Sequence, residues 1–238
     1  MWKGNLLSSG MNAKTVKGDK AGEYLTAIMY LAPADMVEGI NVCPMAEIAG
    51  CKAGCLFSAG RGAFNNVQKA RIRKTILWRD NPAEFLMMLH DDVDKFKRYC
   101  AKKGMKAAVR PNGTSDEMWE RITPSLFTNN PDVQFYDYTK IYKRAYKKLP
   151  ENYHLTLSYS GANQGYAEAV RLAHIQTGVN MAVVYRTKTL VEQEVTAING
   201  DETDLRFLDP KGVIVGLYAK GKARHDKSGF VVDQSIGA

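Results

Sequence analysis

Three of the four cysteines in this sequence lie within thirteen residues, and their spacing predicts a site for metal chemistry. Cys43, Cys51 and Cys55 are separated mainly by small residues and follow a hydrophobic, strand-like segment. Thiolates placed this closely are the ligands that a metal ion or an iron–sulfur cluster requires. A cubane cluster held by three thiolates keeps one iron open to a substrate, a cofactor or water. An open iron predicts a catalyst rather than an electron carrier.

The spacing of this loop also distinguishes between kinds of thiol site. Structural zinc favours four ligands in paired short spacings such as C-x2-C, whereas here C-x7-C is followed by C-x3-C with no histidine nearby. Gly50 and Gly54 each precede a cysteine and allow the tight backbone of a cluster loop. The spacing therefore favours an iron–sulfur cluster over zinc, with inert thiols or a redox switch as the remaining alternatives. Cys100 continues an apolar helical stripe, so we expect it to fill the core and not to be a ligand.

The composition is that of a single globular domain over residues 1–238, with 45% hydrophobic and 24% charged residues. No segment approaches the roughly 18 apolar residues of a membrane helix. The N-terminus lacks the apolar stretch of a signal peptide, and with reduced cysteines this predicts a cytoplasmic protein.

The chain is basic, with a net charge of +8 and a pI near 9.2. This excess suggests a polyanionic partner, either a phosphate-bearing ligand or nucleic acid, although each basic segment also suits a solvated surface. The excess is dispersed, and three basic segments are candidates for such contacts: Lys69, Arg71, Arg73 and Lys74; Lys140, Lys143, Arg144, Lys147 and Lys148; and Lys220, Lys222, Arg224 and Lys227.

Strand-like and helical segments alternate along the chain, which predicts an α/β fold with mostly parallel strands. Residues 1–22 are predicted to form a polar N-terminal arm. The expected strands are 24–31, 106–110, 133–138, 153–158, 181–185, 195–198 and 213–218. The expected helices are 63–78, 82–103, a turn near 118–122, a basic helix over 139–149, and 164–176. This layout suits a partial (β/α) barrel or a doubly wound sheet.

Polar clusters follow nearly every strand, and in parallel α/β folds the carboxyl ends of the strands form the site. We therefore expect the cysteine loop to share one mouth with segments 112–116, 137–140 and 158–163, although turn chemistry alone also favours such residues. The acid–base candidates are Asp116, Asp137, Tyr138, Lys140 and Tyr159. The candidates for contacting a cofactor are Asn112, Gly113, Thr114, Ser115, Ser160 and Asn163.

A hydrophobic first strand, a three-cysteine loop at its end and further βα units resemble the radical S-adenosylmethionine (SAM) superfamily. The resemblance implies a partial (β/α) barrel in which Cys43, Cys51 and Cys55 hold a [4Fe-4S] cluster whose fourth iron chelates SAM. The spacing departs from that family's usual C-x3-C-x2-C. Its Gly-Gly-Glu segment is matched in place by residues 112–116, which lack the second glycine and the glutamate.

A closer resemblance is to a group of bacteriophage and prophage proteins, and it covers roughly residues 12–232. It is carried by the motifs N-V-C-P-x-A, G-C-x-x-x-C-L, A-G-R-G, N-G-T-S-D and F-Y-D-Y-T-K, and by the segments 204–210 and 219–223. It implies a virus-encoded iron–sulfur protein that works in the host cytoplasm.

Three functions follow from these features. The first is a radical-SAM-like enzyme, which needs a reductase and acts on a small-molecule or nucleotide-type substrate. The second is a hydrolase of esters or thioesters, in which the oxidised cluster acts as a Lewis acid. The third is a nucleic-acid-binding protein with a structural or redox-sensing cluster. The candidates for a side-chain ligand to the fourth iron are His90, His154, His174 and His225, of which His90 and His174 lie on expected helices.

Overall fold

The computed structural model describes residues 2–10, 13–20, 22–55, 57, 59–194 and 197–236. Its centre is one eight-stranded sheet with the order β1-β2-β3-β4-β5-β6-β8-β7. Strands β2 to β8 pair in parallel, and β1 pairs antiparallel with β2. The strands are β1 (Leu7–Ser9), β2 (Tyr24–Met29), β3 (Lys106–Arg110), β4 (Val133–Thr139), β5 (Tyr153–Ser158), β6 (Met181–Tyr185), β7 (Ala197–Asn199) and β8 (Ile214–Tyr218).

The sheet is open in the part of the chain that the structure describes, with β1 at one edge and β7 at the other. The prediction of a mostly parallel α/β fold is confirmed. From β2 to β6 the order in the sheet follows the order in the chain, and only β7 and β8 exchange places. In this sequential arrangement the carboxyl ends of neighbouring strands lie side by side at one rim.

Seven helices connect and cover the strands within the described residues: α1 (Ala13–Lys20), α2 (Asn65–Asp80), α3 (Pro82–Lys102), α4 (Trp119–Ile122), α5 (Ser125–Thr128), α6 (Gln164–Thr177) and α7 (Lys188–Gln193). Helix α3 begins as its sequence predicts, because the Asn81 side chain accepts a hydrogen bond from the Glu84 backbone N–H at 3.2 Å. Helix α6 ends at Gly178, whose φ of 67° is a left-handed conformation that glycine adopts readily. No helix among the described residues has the length and apolarity needed to span a membrane.

The main apolar core lies between helices α2 and α3 and one face of β2 to β5. Phe85, Leu89 and Val93 of α3 are fully buried in it, together with Phe135 of β4. Cys100 continues this stripe and is 1% exposed. Its placement in the core agrees with the sequence prediction. A second apolar cluster joins α6 to β5, β6 and β8.

The N-terminal arm differs from the prediction, because it contains strand β1 and helix α1. The Asp92 carboxylate accepts hydrogen bonds from the backbone N–H groups of Leu6 and Leu7, at 2.5 and 3.1 Å. The Lys74 ammonium donates to the Leu6 carbonyl at 2.6 Å. Two side chains of the helical layer therefore fix the arm at the sheet edge, and local sequence does not reveal such distant anchors.

The prediction of a basic helix over 139–149 is also wrong, because only a short 3-10 turn forms, at Tyr142–Tyr146. The Arg144 side chain is buried and donates to Glu120 and to the Tyr153 hydroxyl, each at 2.8 Å from Nη2. These inward contacts hold the segment out of a regular helix. Arg71 and Lys74 of the first basic segment are likewise buried, whereas Lys69 and Arg73 of the same segment are exposed.

Three smaller differences concern elements with weak signals. Helices α5 and α7 were not expected, and each buries only one or two residues. Strand β7 begins at Ala197. The expected strand start at 195 lies outside the described residues.

Candidate functional site

The cysteine loop and the polar segments after β3, β4 and β5 meet at one rim of the sheet. The Asp116 backbone N–H donates to the Val42 carbonyl at 2.7 Å, which joins the loop after β3 to the start of the cysteine loop. The Ser160 hydroxyl donates to the Ala49 carbonyl at 2.6 Å, which joins the segment after β5 to the middle of that loop. The predicted convergence of these segments is confirmed.

The three thiols of the loop are half-buried, and none of them is part of a disulfide bond. Burial raises the pKa of Cys43 to about 12, and it also raises the pKa of Cys51 and of Cys55. Negative charge on Cys51 and Cys55 adds to the rise at Cys43, so the three sulfur atoms lie near enough to affect one another. Such thiols stay protonated at neutral pH unless a cation or a metal stabilises the thiolate.

Two cations flank the thiols on different sides, half-buried Lys140 and buried Arg71. Lys140 lies near Cys51, and its ammonium donates to the Ser158 carbonyl, the Ser158 hydroxyl and the Tyr159 carbonyl at 3.0–3.1 Å. Burial lowers the pKa of Lys140 to about 8, against the attraction of Cys51 and Asp116. All three of these acceptors are neutral.

Arg71 is the second cation, and its positive charge lowers the pKa of Cys55 against the larger effect of burial. Its guanidinium carbon lies 4.7 Å from the centre of the Tyr30 ring and 5.3 Å from that of Phe57. The residue is 7% exposed, and its Nη1 has no hydrogen-bond partner among the described residues. No described carboxylate forms an ion pair with Arg71 or with the Lys140 ammonium. The rim therefore has buried positive charge beside the thiols.

As they stand, the His, Cys, Asp and Glu side chains of the described residues form no group of three or more that could hold a single metal ion. His90 and His174 have structural partners, as expected for histidines on helices. His90 Nε2 lies 2.9 Å from the Thr123 hydroxyl, and His174 Nδ1 lies 2.7 Å from the Val179 carbonyl.

The loop at 112–116 directs its polar side chains into its own structure. The Asn112 side chain accepts from the Ser115 hydroxyl at 2.8 Å and from the Trp119 indole N–H at 3.1 Å. The Thr114 hydroxyl donates to the Leu31 carbonyl, and the Gly113 N–H donates to the Met29 carbonyl. These contacts hold the loop against the end of β2, next to Cys43, whose sulfur lies 3.7 Å from the Thr114 carbonyl.

The two aspartate candidates are both buried, but they have different partners. Asp116 accepts from the Thr139 hydroxyl and the Lys140 backbone N–H at 2.7 Å, and it forms an ion pair with Arg144. Asp137 accepts from the backbone and side chain of Asn112 and from the Tyr153 hydroxyl at 2.8–2.9 Å. Burial raises the pKa of both carboxyls, that of Asp137 to about 7.

Tyr138 does not lie with Asp137, because successive side chains of a strand point to opposite faces. Asp137 faces Tyr153 and the Asn112 loop. Tyr138 lies under Arg110, whose guanidinium carbon is 4.6 Å from the centre of the Tyr138 ring. Of the three candidates after β5, Ser160 holds the cysteine loop and Asn163 caps α6 through the Tyr166 N–H. Tyr159 is buried, 7% exposed.

A C-terminal segment completes the rim, and sequence reasoning did not assign it there. The Ser228 hydroxyl donates to the Gly50 carbonyl at 3.0 Å, and the Gly161 N–H donates to the Gly229 carbonyl at 2.9 Å. The Phe230 ring lies 4.7 Å from the Lys140 ammonium. A signal for this role was present, because the resemblance to phage proteins extends to residue 232, but no residue type in this segment indicates chemistry.

A scan of protein families finds one whose model spans nearly the whole chain. No curated protein and no solved structure matches the chain significantly. The family match fits the resemblance to phage proteins that the motifs indicate. With residues 5–234 matched, the chain belongs to the family described as Gene product 88.

Proposed function

We propose that this protein binds a [4Fe-4S] cluster through Cys43, Cys51 and Cys55 and is an enzyme that uses the open iron of that cluster. One observation carries the proposal: three thiols share a strand-end rim with buried Arg71 and half-buried Lys140, neither of which forms an ion pair with a carboxylate among the described residues. Sites of this kind in α/β folds lie at the carboxyl ends of parallel strands. Bound there, the cluster would supply one iron for chelating SAM or for polarising a carbonyl group.

The charges at the rim fit an anionic group of this kind. A cation that is shielded from water and forms no ion pair is costly, and Arg71 and Lys140 each lie near one of the thiols, with Asp116 as a further negative charge near Lys140. Three thiolates would neutralise these cations, and the cations in turn would favour deprotonated sulfur. The donor set of three thiols therefore fits an iron–sulfur cluster.

The surrounding residues would position and shield the site. Ser160 and Ser228 hold the carbonyls of Ala49 and Gly50, which fixes the backbone just before Cys51. Phe230 lies over the Lys140 ammonium and limits its contact with water. These contacts fix the backbone on one side of Cys51, which lowers the entropy lost when a cofactor binds there.

For the reaction, the radical-SAM-like mechanism is the first candidate. The three-cysteine loop follows the first parallel strand, and the consecutive order of β2 to β6 supports a partial-barrel arrangement of the sheet. We therefore propose that the parallel strands form a partial barrel.

One observation favours the Lewis-acid hydrolase as a second candidate. The side chains of Asn112, Thr114 and Ser115 are engaged within the protein, so they are not available to hold the amino group of SAM. The Lys140 ammonium already donates three hydrogen bonds, so it would stabilise a developing oxyanion through its charge and not through a direct hydrogen bond.

The first experiment tests the cluster itself. The protein is purified without oxygen, and its iron is counted and characterised by Mössbauer and EPR spectroscopy. We expect about four irons per chain and broad visible absorption, as for thiolate-ligated clusters. Cys43→Ala, Cys51→Ala and Cys55→Ala should each lose both signals, whereas the matched control Cys100→Ala should keep them. A folded, colourless wild type after anaerobic reconstitution would refute the proposal.

A second experiment separates the two reactions. Addition of SAM to the reduced protein should change the EPR spectrum of the cluster and yield 5′-deoxyadenosine if the enzyme is radical-SAM-like. Hydrolysis of a thioester by the oxidised protein, abolished by Lys140→Met, would instead support the Lewis-acid candidate. Neither activity in protein with an intact cluster would contradict both reactions.

A further inference from the structure

A second polar cluster is buried on the face of the sheet opposite helices α2 and α3. In the pairing of β4 with β5, Tyr136 lies beside His154, and Tyr138 lies beside Thr156. These four side chains share a face because residues two apart in a strand point the same way. Leu205 and Phe207 cover this face by packing against Tyr136.

Part of this cluster is satisfied by ordinary contacts. The Asp204 carboxylate accepts from the Tyr136 hydroxyl at 3.0 Å and from Arg110 Nη1 at 3.2 Å. Arg206 donates from Nη2 to the Thr203 carbonyl at 2.8 Å. Its Nε lies 3.3 Å from the Asp209 carboxylate, but the orientation is not that of a hydrogen bond.

The remaining polar atoms have no hydrogen-bond partner among the described residues. They are Arg110 Nε, Tyr138 Oη, His154 Nε2, Thr156 Oγ1, Nε and Nη1 of Arg206, and one acceptor, Asp209 Oδ2. Thr156 is 0% and Arg206 1% exposed, so surrounding solvent does not solvate them. More than nine in ten buried polar groups in folded proteins are hydrogen-bonded, so several unpartnered atoms on one face require an explanation.

These atoms lie together and most of them are donors. The Arg110 guanidinium stacks on the Tyr138 ring at 4.6 Å, and the charge of Arg206 affects the pKa of both Tyr138 and His154. Burial lowers the pKa of His154 to about 4, so its imidazole is neutral at pH 7. Arg206 Nε is ion-paired with Asp209, so two guanidinium nitrogens, Arg110 Nε and Arg206 Nη1, and two hydroxyls still have no acceptor among the described residues.

We propose that Arg110, Tyr138, Thr156 and Arg206 bind the oxyanion group of a small ligand, a carboxylate or a phosphate. Guanidinium groups present planar N–H donors that match the oxygens of both groups, and hydroxyls complete such sites. Asp204 and Asp209 offset the charge of the two arginines, so directed hydrogen bonds supply most of the affinity. Binding should therefore depend only weakly on salt. This proposal does not depend on the cysteine site.

The test follows the Nε–Hε signals of Arg110 and Arg206 by NMR in the full-length protein during titration with inorganic phosphate and, separately, with malonate. Sodium chloride at matched ionic strength is the reference. We expect saturable shifts with at least one probe. Response to phosphate alone or to malonate alone identifies the phosphate or the carboxylate as the preferred group.

Two conservative variants make the test specific. Tyr138→Phe keeps the ring under Arg110 and removes only the unpartnered hydroxyl. Thr156→Val replaces the unpartnered hydroxyl of Thr156 by a methyl group and keeps the shape of the side chain. Each should weaken binding about tenfold, as expected for one lost hydrogen bond to a charged group. Tyr146→Phe, at an exposed tyrosine that donates to Gln176, should bind as the wild type does.

The outcomes decide the proposal. Absence of saturable shifts with both probes, or binding that is unchanged in both variants, would show that water alone satisfies these atoms or that the ion binds elsewhere. If Tyr138→Phe does not fold, Thr156→Val provides the same measurement. Repeating the titration in Cys51→Ala separates this site from the cysteine site, because the affinity should not change.

Discussion

The carboxylate of Asp116 accepts a hydrogen bond of 2.7 Å from the hydroxyl of Thr139, and both residues are buried at the rim of the sheet. This bond links the loop after β3 to the end of β4. The backbone N–H of Asp116 links the same loop to Val42, just before the first cysteine of the loop. Asp116 therefore joins three segments of the candidate site, and this structural role differs from that of a free acid or base.

We expect Asp116→Ala to destabilise the fold and the cysteine loop together. The change removes two hydrogen bonds and part of the counter-charge of buried Arg144, which keeps Glu120 as a partner. The free energy of unfolding should fall by about 3 kcal/mol, at the low end for a broken buried ion pair. Urea denaturation measures this change. Asp132→Ala, at an exposed carboxylate that pairs with Lys97, should stay within about 0.5 kcal/mol of the wild type.

Gly113→Ala should distort the loop at 112–116 by crowding alone. A Cβ atom there would lie 2.6 Å from the backbone carbonyl oxygen of Met29 and 2.7 Å from a methyl group of Ile28, and both of these residues are fully buried. We expect a loss of about 1–3 kcal/mol, typical of overpacking. Gly165→Ala in the first turn of α6 meets no atom closer than 3.6 Å and should be neutral or slightly stabilising. Equal stability of the two variants would contradict the close approach of this loop to β2.

Asp92→Ala should release the N-terminal strand. Without this carboxylate the N–H groups of Leu6 and Leu7 lose their acceptor, and Lys74 loses a nearby negative charge. We expect a loss of about 1–3 kcal/mol and faster hydrogen exchange in β1. The neighbouring Asp91→Ala removes only an exposed pair with Lys95 and is the control. Unchanged exchange in β1 would show that strand pairing alone holds the arm.

The sequence predicts the central strands well because their signals are local. The strands at 106–110, 153–158 and 181–185 have the predicted bounds, since each is a short apolar run between polar turns. The meeting of the strand-end segments also follows from parallel pairing. By contrast, β1 depends on Asp92, and the loss of helix at 139–149 depends on buried Arg144, so both are determined by partners far away in sequence.

The candidate site, like the fold, can be predicted from the sequence only in part. Residue type identifies the three cysteines, and position after a strand identifies the polar segments around them. The hydrogen-bond partners are not predictable in this way, so side chains such as Asn112 and Asp116 prove to stabilise the rim. Arg71 is a further example, because its burial between Tyr30 and Phe57 arises only when α2 packs against the loop.

The last prediction concerns the pH dependence of stability at Asp137. Burial raises the pKa of this carboxyl from the ordinary 3.8 to about 7, so between pH 4 and 7 the folded state binds more protons than the unfolded state. The contribution of Asp137 is therefore greatest below pH 4 and is lost as the pH rises to about 7. Relative to Asp137→Asn, the wild type should lose on the order of 2–4 kcal/mol across this range. Urea denaturation at half-unit pH steps measures the difference.

Two further variants test the cause of this dependence. Tyr153→Phe removes a hydrogen bond that favours the charged carboxylate, so the loss of stability should extend to higher pH. Asp80→Asn is the control, because the hydrogen bond with Arg79 lowers the pKa of the exposed Asp80. Relative to Asp80→Asn, the wild type should therefore not lose stability as the pH rises from 4 to 7. If the free energy of unfolding of the wild type and of Asp137→Asn changes equally with pH between pH 4 and 7, Asp137 is ionised in the folded protein throughout that range. The three donors from Asn112 and Tyr153 would then outweigh burial.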